Sequence, residues 1–242
     1  MSRAPFADDI SVLAVDIFGT TVDWRTGVAD QVGLLAAERG VALDSGSFTD
    51  DWRDRYLPAV ARVRAGQREW CHLDTLHREA LDDLLDVRGI GTAFDEAARA
   101  TLVRAWHRLP PWADAAAGLG RLRTRYVVAA VSNGGFALLT NLVKAADLGF
   151  DCIISADLAR SFKPDPAVYR VAAGLLDVRP DQVLMVAAHG WDLAGAAAAG
   201  LRTAFVERPA EKGPDRQADR PGDVPSDLSV ADFHALAEEL GC

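Results

Sequence analysis

Four short, predominantly apolar runs punctuate the second half of this chain, at residues 127–131, 152–155, 183–187 and 203–206, and stretches of helical character separate them. A strand with one face in water alternates apolar and polar residues, so a strand that is apolar at every position must be covered on both faces. Such runs joined by helices are satisfied by a parallel sheet held between helical layers. The helices are expected at 113–123, 136–146, 166–176 and 193–199, with a closing helix at 230–240.

A fifth run, VLAV at 12–15, has the same style but lies far upstream, and the intervening chain carries helical patterns only. Residues 26–39 place Val28, Val32, Leu35 and Ala36 on one face and end at Gly40, a residue suited to closing a helix. Residues 47–64 space Phe48, Trp52, Tyr56 and Val60 four apart, with Arg53 beside that stripe. Two more patterns, 72–87 and 95–107, precede LPPW at 109–112, where two prolines break the series. The order of elements predicts a doubly wound, Rossmann-like α/β core made of residues 1–22 and 110–242, with an all-helical cap, 23–109, inserted after the first strand. Residues 209–225, rich in Pro, Gly and charge, read as an exposed loop.

Charge and cysteine usage narrow the function. A formal net charge of -9 and a pI near 5.0 leave no basic stripe for a nucleic-acid backbone, so a small-molecule substrate is expected. Cys71, Cys152 and Cys242 share no metal-binding spacing and form no disulfide framework, and neither a metal nor another cofactor is expected. The opening MSRAPFADD has no basic segment followed by an apolar run, and no stretch reaches membrane-spanning length, which points to a cytoplasmic protein without a membrane partner.

Polar residues gather where the strands end. Asp16 follows the first run, Ser132 and Asn133 the second, Lys163 the third, and His189 and Asp192 the fourth. In a parallel sheet these ends share one edge, so residues distant in sequence converge on a single crevice. Asp16 alone could be a helix cap, a common task for Asp after a strand. Lys163 carries extra information, because only Lys144, Lys163 and Lys212 among 26 basic residues are lysines.

The motifs DIFGTTVDWRTG at 16–27, DDWRDRY at 50–56, VSNGG at 131–135, SFKPDPAVY at 161–169 and VAAHGWDLAGA at 186–196 together resemble the haloacid dehalogenase superfamily of hydrolases. Within it they resemble the type II L-2-haloacid dehalogenases, and GQREWCHLDTLHREAL at 66–81 is similar to a branch that includes defluorinating members. The resemblance implies hydrolysis of short L-2-haloacids through an ester on Asp16, with inversion. It assigns Asp16 as nucleophile, Lys163 as the cation holding it ionised, Thr20 as its hydrogen-bonding support and Arg53 as receiver of the halide. Ser132, Asn133 and the amides after Asp16, beginning at Ile17, would bind the substrate carboxylate. Asp192 would position or deprotonate the hydrolytic water with help from Tyr169, and Phe18 and Trp191 would wall the reacting carbon. His189 stands where many members have Asn, and could serve the halide or the water.

Superfamily phosphatases carry a second Asp two residues after the nucleophile and an acidic residue in the fourth motif for magnesium; here those places hold Phe18 and the run Val186-Ala187-Ala188-His189. A magnesium-dependent phosphatase is therefore the rival reading. The resemblance also implies a homodimer.

Overall fold

The computed structural model describes residues 3–242. Six parallel strands form one sheet in the order β3-β2-β1-β4-β5-β6: β1 (Val12–Val15), β2 (Val127–Ser132), β3 (Cys152–Ser155), β4 (Val183–Ala187), β5 (Arg202–Val206) and β6 (Leu228–Val230). The expected doubly wound α/β fold is thus observed. β1 lies between β2 and β4, so the order reverses on either side of it, and its C-terminal end opens at the switch point where such sheets bind ligands. Two apolar clusters cover the sheet's two faces: Leu13 and Val15 belong to one, Val12 and Ala14 to the other. This is the physical sense of unbroken apolar runs.

Between β1 and β2 the chain forms α1 (Trp24–Glu38), α2 (Ser45–Asp54), α3 (Tyr56–Arg64), α4 (Leu73–Val87), α5 (Glu96–Ala105) and α6 (Ala115–Leu122). The first five pack on one another, whereas α6 packs on α10 (Phe233–Glu239) beside the sheet. Helices α7 (Phe136–Ala145), α8 (Pro166–Leu175) and α9 (Gly190–Ala198) complete the layers. Several caps are visible in the sequence chemistry: Asp23, Asp44, Asp95 and Asp232 each accept a backbone N–H in the first turn that follows.

Two local departures have simple causes. The expected helix 47–64 is divided into α2 and α3 near Arg55, because Pro58 has no N–H to donate to the carbonyl of Asp54. The stripe nevertheless survives the break, with Phe48, Trp52, Tyr56 and Val60 all buried. The expected closing helix is observed as α10, and just before it lies a three-residue strand, β6, that the sequence did not announce. So short an edge strand leaves no period to read.

Candidate active site

The turn after β1 is built to hold a charge. Asp16 is 6% exposed, and its backbone N–H donates to Val186 O, which fixes it between β1 and β4. Thr20 Oγ1 donates to Asp16 Oδ2 at 2.9 Å and accepts from the amide of Ala188 at 2.9 Å, while Thr21 Oγ1 donates to the carbonyl of Asp16 at 2.7 Å. Gly19 adopts φ +85°, and a Cβ there would overlap the carboxylate of Glu211, so both backbone and space require glycine.

Lys163, 1% exposed, bridges two carboxylates: its Nζ donates to Asp16 Oδ1 at 3.1 Å and to Asp192 Oδ2 at 2.8 Å. Burial opposes ionisation of Asp16, but the ammonium of Lys163 and the nearby imidazole of His189 outweigh it, and the carboxyl is held well below its usual range. Burial likewise opposes the charge on Lys163, and the two carboxylates overcome it, raising its pKa. Asp192 is shifted upward, by burial and by the negative charge of Asp16 against the opposing pull of Lys163. Tyr169 donates to Asp192 Oδ1 at 2.7 Å, so both oxygens of Asp192 are already engaged. Burial and that carboxylate push the Tyr169 phenol upward.

The second and third strand ends meet around Asn133. Its Oδ1 accepts from the Lys163 amide at 2.7 Å and its Nδ2 donates to Tyr56 OH at 2.6 Å, which links the core to α3. Ser132 is fully buried and accepts from the Gly134 amide at 3.3 Å. Arg53 reaches in from α2, with its guanidinium carbon 4.3 Å from the Tyr56 ring centroid, 5.2 Å from that of Trp24 and 5.8 Å from that of Trp106. Its Nη1 is buried with no hydrogen-bond partner. Phe18 lies edge-on to Trp106, and Trp191 stacks on His189 with centroids 5.8 Å apart.

A cavity of about 10 Å³ is lined by Asp16, Phe18, Arg53, Ser132, Asn133, Lys163, His189 and Trp191, and also by Tyr56. Eight residues expected at the site from sequence therefore line one cavity, and Thr20, Tyr169 and Asp192 support it from behind by hydrogen bonds. Ile17 does not join them as a side chain: it is fully buried in the main apolar cluster, because it continues the alternation that puts Leu13 and Val15 there, on the face away from Asp16. Beyond the small cavity a larger one, about 540 Å³, opens outward and shares Arg53, Tyr56, His189 and Trp191 with it.

Glu211 was hidden from sequence reasoning, because it lies in the Pro- and Gly-rich segment expected to be exposed. It is 2% exposed, with Oε1 at 2.9 Å from His189 Nε2 and accepting from Trp24 Nε1 at 2.8 Å. The other ring nitrogen, Nδ1, is 3.6 Å from Asp16 Oδ2, beyond hydrogen-bond length, and has no partner. Burial works against an imidazolium, but Glu211 and Asp16 together push His189 up to about 10. Burial also works against ionised Glu211, and His189, the indole of Trp24 and Arg53 overcome it, so its pKa is lowered. No motif spacing marks Glu211.

Magnesium requires several oxygen ligands in near-octahedral array. Ala187 and Ala188 offer no side-chain oxygen, and both oxygens of Asp192 are bound to Lys163 and Tyr169, so this donor set does not fit that ion.

A doubly wound sheet whose first strand delivers a buried, ionised aspartate onto a lysine, with an arginine reaching in from inserted helices, defines an α/β enzyme of the aspartate-centred hydrolase class. The chain belongs to the haloacid dehalogenase-like hydrolase family, whose model matches residues 10–200. It is 33% identical over 207 residues to (S)-2-haloacid dehalogenase 1 of Pseudomonas sp. (strain CBS-3), covering 83% of this chain and 86% of that protein. The crystal structure of the defluorinating L-2-haloacid dehalogenase Rha0230 superposes with a TM-score of 0.94 at 40% identity, over 99% of both chains. That of the L-2-haloacid dehalogenase from Xanthobacter autotrophicus, with chloropropionic acid covalently bound, gives a TM-score of 0.80 at 29% identity over 95% of this chain and 97% of that one. The family resemblance read from the motifs is borne out.

Proposed function

We propose that this enzyme hydrolyses short L-2-haloacids, haloacetates among them, to 2-hydroxyacids in two steps centred on Asp16. One observation carries the reading: a buried, ionised carboxylate shares its cavity with the apolar ring of Phe18, where a phosphatase of this superfamily would carry its proton donor. Halide leaves as an anion and needs no proton at that place.

In the first step an oxygen of Asp16 attacks the halogen-bearing carbon from behind. A carbon–oxygen bond forms, the carbon–halogen bond breaks with its electron pair on the halide, and the configuration inverts. Lys163 and Thr20 hold the attacking carboxylate, while Ser132, Asn133 and the amides after Asp16 receive the substrate carboxylate. Arg53 faces the departing halide, where its charge stabilises the transition state more than the ground state. His189 stands within 3.6 Å of the nucleophile and therefore on the side away from the halide.

That position suits His189 to the second step. Ester formation removes the negative charge of Asp16, one of the causes of the raised pKa, and the imidazolium then releases a proton to solvent. Neutral His189, held through Nε2 by Glu211, takes a proton at Nδ1 from water as the oxygen adds to the ester carbonyl carbon. Collapse expels the product alkoxide, which recovers that proton as the 2-hydroxyacid. Asp16 then passes its own proton to His189, which restores the starting pair. Asp192, bonded at both oxygens, orients Lys163 and Tyr169 in this scheme and His189 handles the water.

The reading extends to fluoroacetate, supported by the small cavity and by similarity to a defluorinating relative. A homodimer is part of it through the family resemblance, and a cytoplasmic location is carried over from the sequence reading. The test is halide release from chloroacetate, fluoroacetate and each enantiomer of 2-chloropropionate, with and without chelator. Release from the acetates and the L form only, indifferent to chelator and abolished in Asp16→Asn, is expected. Chelator-sensitive release of phosphate from an aryl phosphate, with no halide from any haloacid, would overturn it.

A further inference from the structure

We infer that Trp24, the first residue of the inserted helices, is a positioning residue for ester hydrolysis: its indole N–H fixes Glu211, and Glu211 in turn aims His189 at Asp16. The inference rests on the two-step reading above and assigns to the inserted helices a part in the second step as well as the first.

The contacts form a single line. Trp24 is 2% exposed, and its Nε1 donates at 2.8 Å to the same Glu211 oxygen that lies 2.9 Å from His189 Nε2. A carboxylate on a loop has rotational freedom that a neutral or charged imidazole alone does not remove. A second, rigid donor on the same oxygen sets the direction of the first bond, and so the direction of Nδ1. Trp24 itself is locked by stacking on Trp106, with centroids 6.2 Å apart at 14°.

The segment that carries Glu211 touches the inserted helices at other points too. Arg216 pairs with Asp54 at 2.5 Å, and Gly213 lies so close beneath the Arg25 guanidinium that a side chain would not fit. Arg25 in turn holds Asp50 through two hydrogen bonds of 2.8 and 2.9 Å. The cations Lys163 and Arg53 line the same cavity as His189, and the acidic groups about it are Asp16, Glu211 and Asp219, the last bonded to the Gly190 amide and to Lys212. Of these acids only Glu211 has a partner on the inserted helices. The water-activating pair is therefore aligned when those helices are seated on the core, and Trp24 is the link that aligns it.

Trp24→Phe keeps an aromatic face toward Arg53 and removes the N–H together with part of the buried ring. In rapid-quench experiments with chloroacetate it should release one equivalent of chloride at the wild-type rate and then turn over roughly 10-fold more slowly, the scale of one hydrogen bond to a charged group. Because kcat/KM reports only the steps through halide release, kcat and KM should fall in the same proportion and leave their ratio unchanged. The ester should accumulate on the peptide containing Asp16, as seen by mass spectrometry. Glu211→Gln, which is nearly isosteric, should show the same pattern more strongly. A burst and a steady-state rate that fall together in both variants, or neither changing, overturns the inference while leaving the dehalogenase reading intact. Absence of any chloride release by the wild type overturns that reading and takes the inference with it.

Discussion

Two carboxylates compete for one imidazole at His189: Glu211 holds Nε2 at 2.9 Å and Asp16 faces Nδ1 at 3.6 Å. Their combined field raises the group from 6.5 to about 10 despite its burial. A group whose folded pKa exceeds its unfolded value contributes stability that is complete below the unfolded value and is lost as pH rises through the folded one. Thermal melts should therefore fall between pH 7 and pH 10, and His189→Asn should flatten that decline; parallel curves would contradict the assignment. The same variant should retain a halide burst and accumulate ester, since Asn can orient a water and cannot take its proton. From sequence, Asp16, Lys163, Asn133 and Arg53 were legible because each sits in a motif at a strand end or on a helical stripe. Glu211 was not, because a lone Glu in a polar segment resembles every other solvated Glu.

Arg208, just beyond β5, ties four elements together. Its Nη1 and Nη2 bond Asp114 at 3.0 and 2.9 Å, its Nε donates to Thr20 O at 2.8 Å, and Asp114 also accepts from the Phe233 amide at the start of α10. Burial raises the Asp114 carboxyl but Arg208 and that amide prevail and lower it. Arg208→Met should leave Asp114 half-buried without its cation and the Thr20 carbonyl without a donor. A loss of about 3 kcal/mol in urea unfolding is expected, as for other broken buried pairs, together with reduced halide release because the turn holding Asp16 loosens. A loss below about 1 kcal/mol, the scale of an exposed pair, would show that this pair is not a structural tie. At this scale the first five strands were readable to within a residue or so, since burial on both faces forces largely apolar runs, whereas β6 was not read. The break between α2 and α3 was also written in the chain, at Pro58, but the apolar stripe running through it masked the signal.

Taken as a whole, the molecule places a cavity of about 10 Å³ behind one of about 540 Å³, with Arg53, Tyr56, His189 and Trp191 between them. A space so tight admits little more than a water-sized body without adjustment, so each methylene added to the substrate must displace buried side chains. Catalytic efficiency should fall by roughly 10-fold or more per methylene from chloroacetate through L-2-chloropropionate to L-2-chlorobutyrate, the scale of methylene discrimination in apolar pockets. A flat series would mean that the inserted helices yield easily to larger acids.

The sequence by itself determined the architecture and the identity of the central cluster. Continuous apolar runs admit only a sheet covered on both faces, and the parallel arrangement brings every strand end to one edge, so Asp16, Ser132, Asn133, Lys163, His189 and Asp192 had to meet. Only the tertiary structure decided how they share their charges. It engaged both oxygens of Asp192 with Lys163 and Tyr169, turned Ile17 into the core, and brought Glu211 between His189 and a tryptophan 187 positions away. Periodicity is a short-range property of the backbone, whereas the path of an irregular loop across a surface follows from the sum of distant contacts and leaves no repeating mark in the chain.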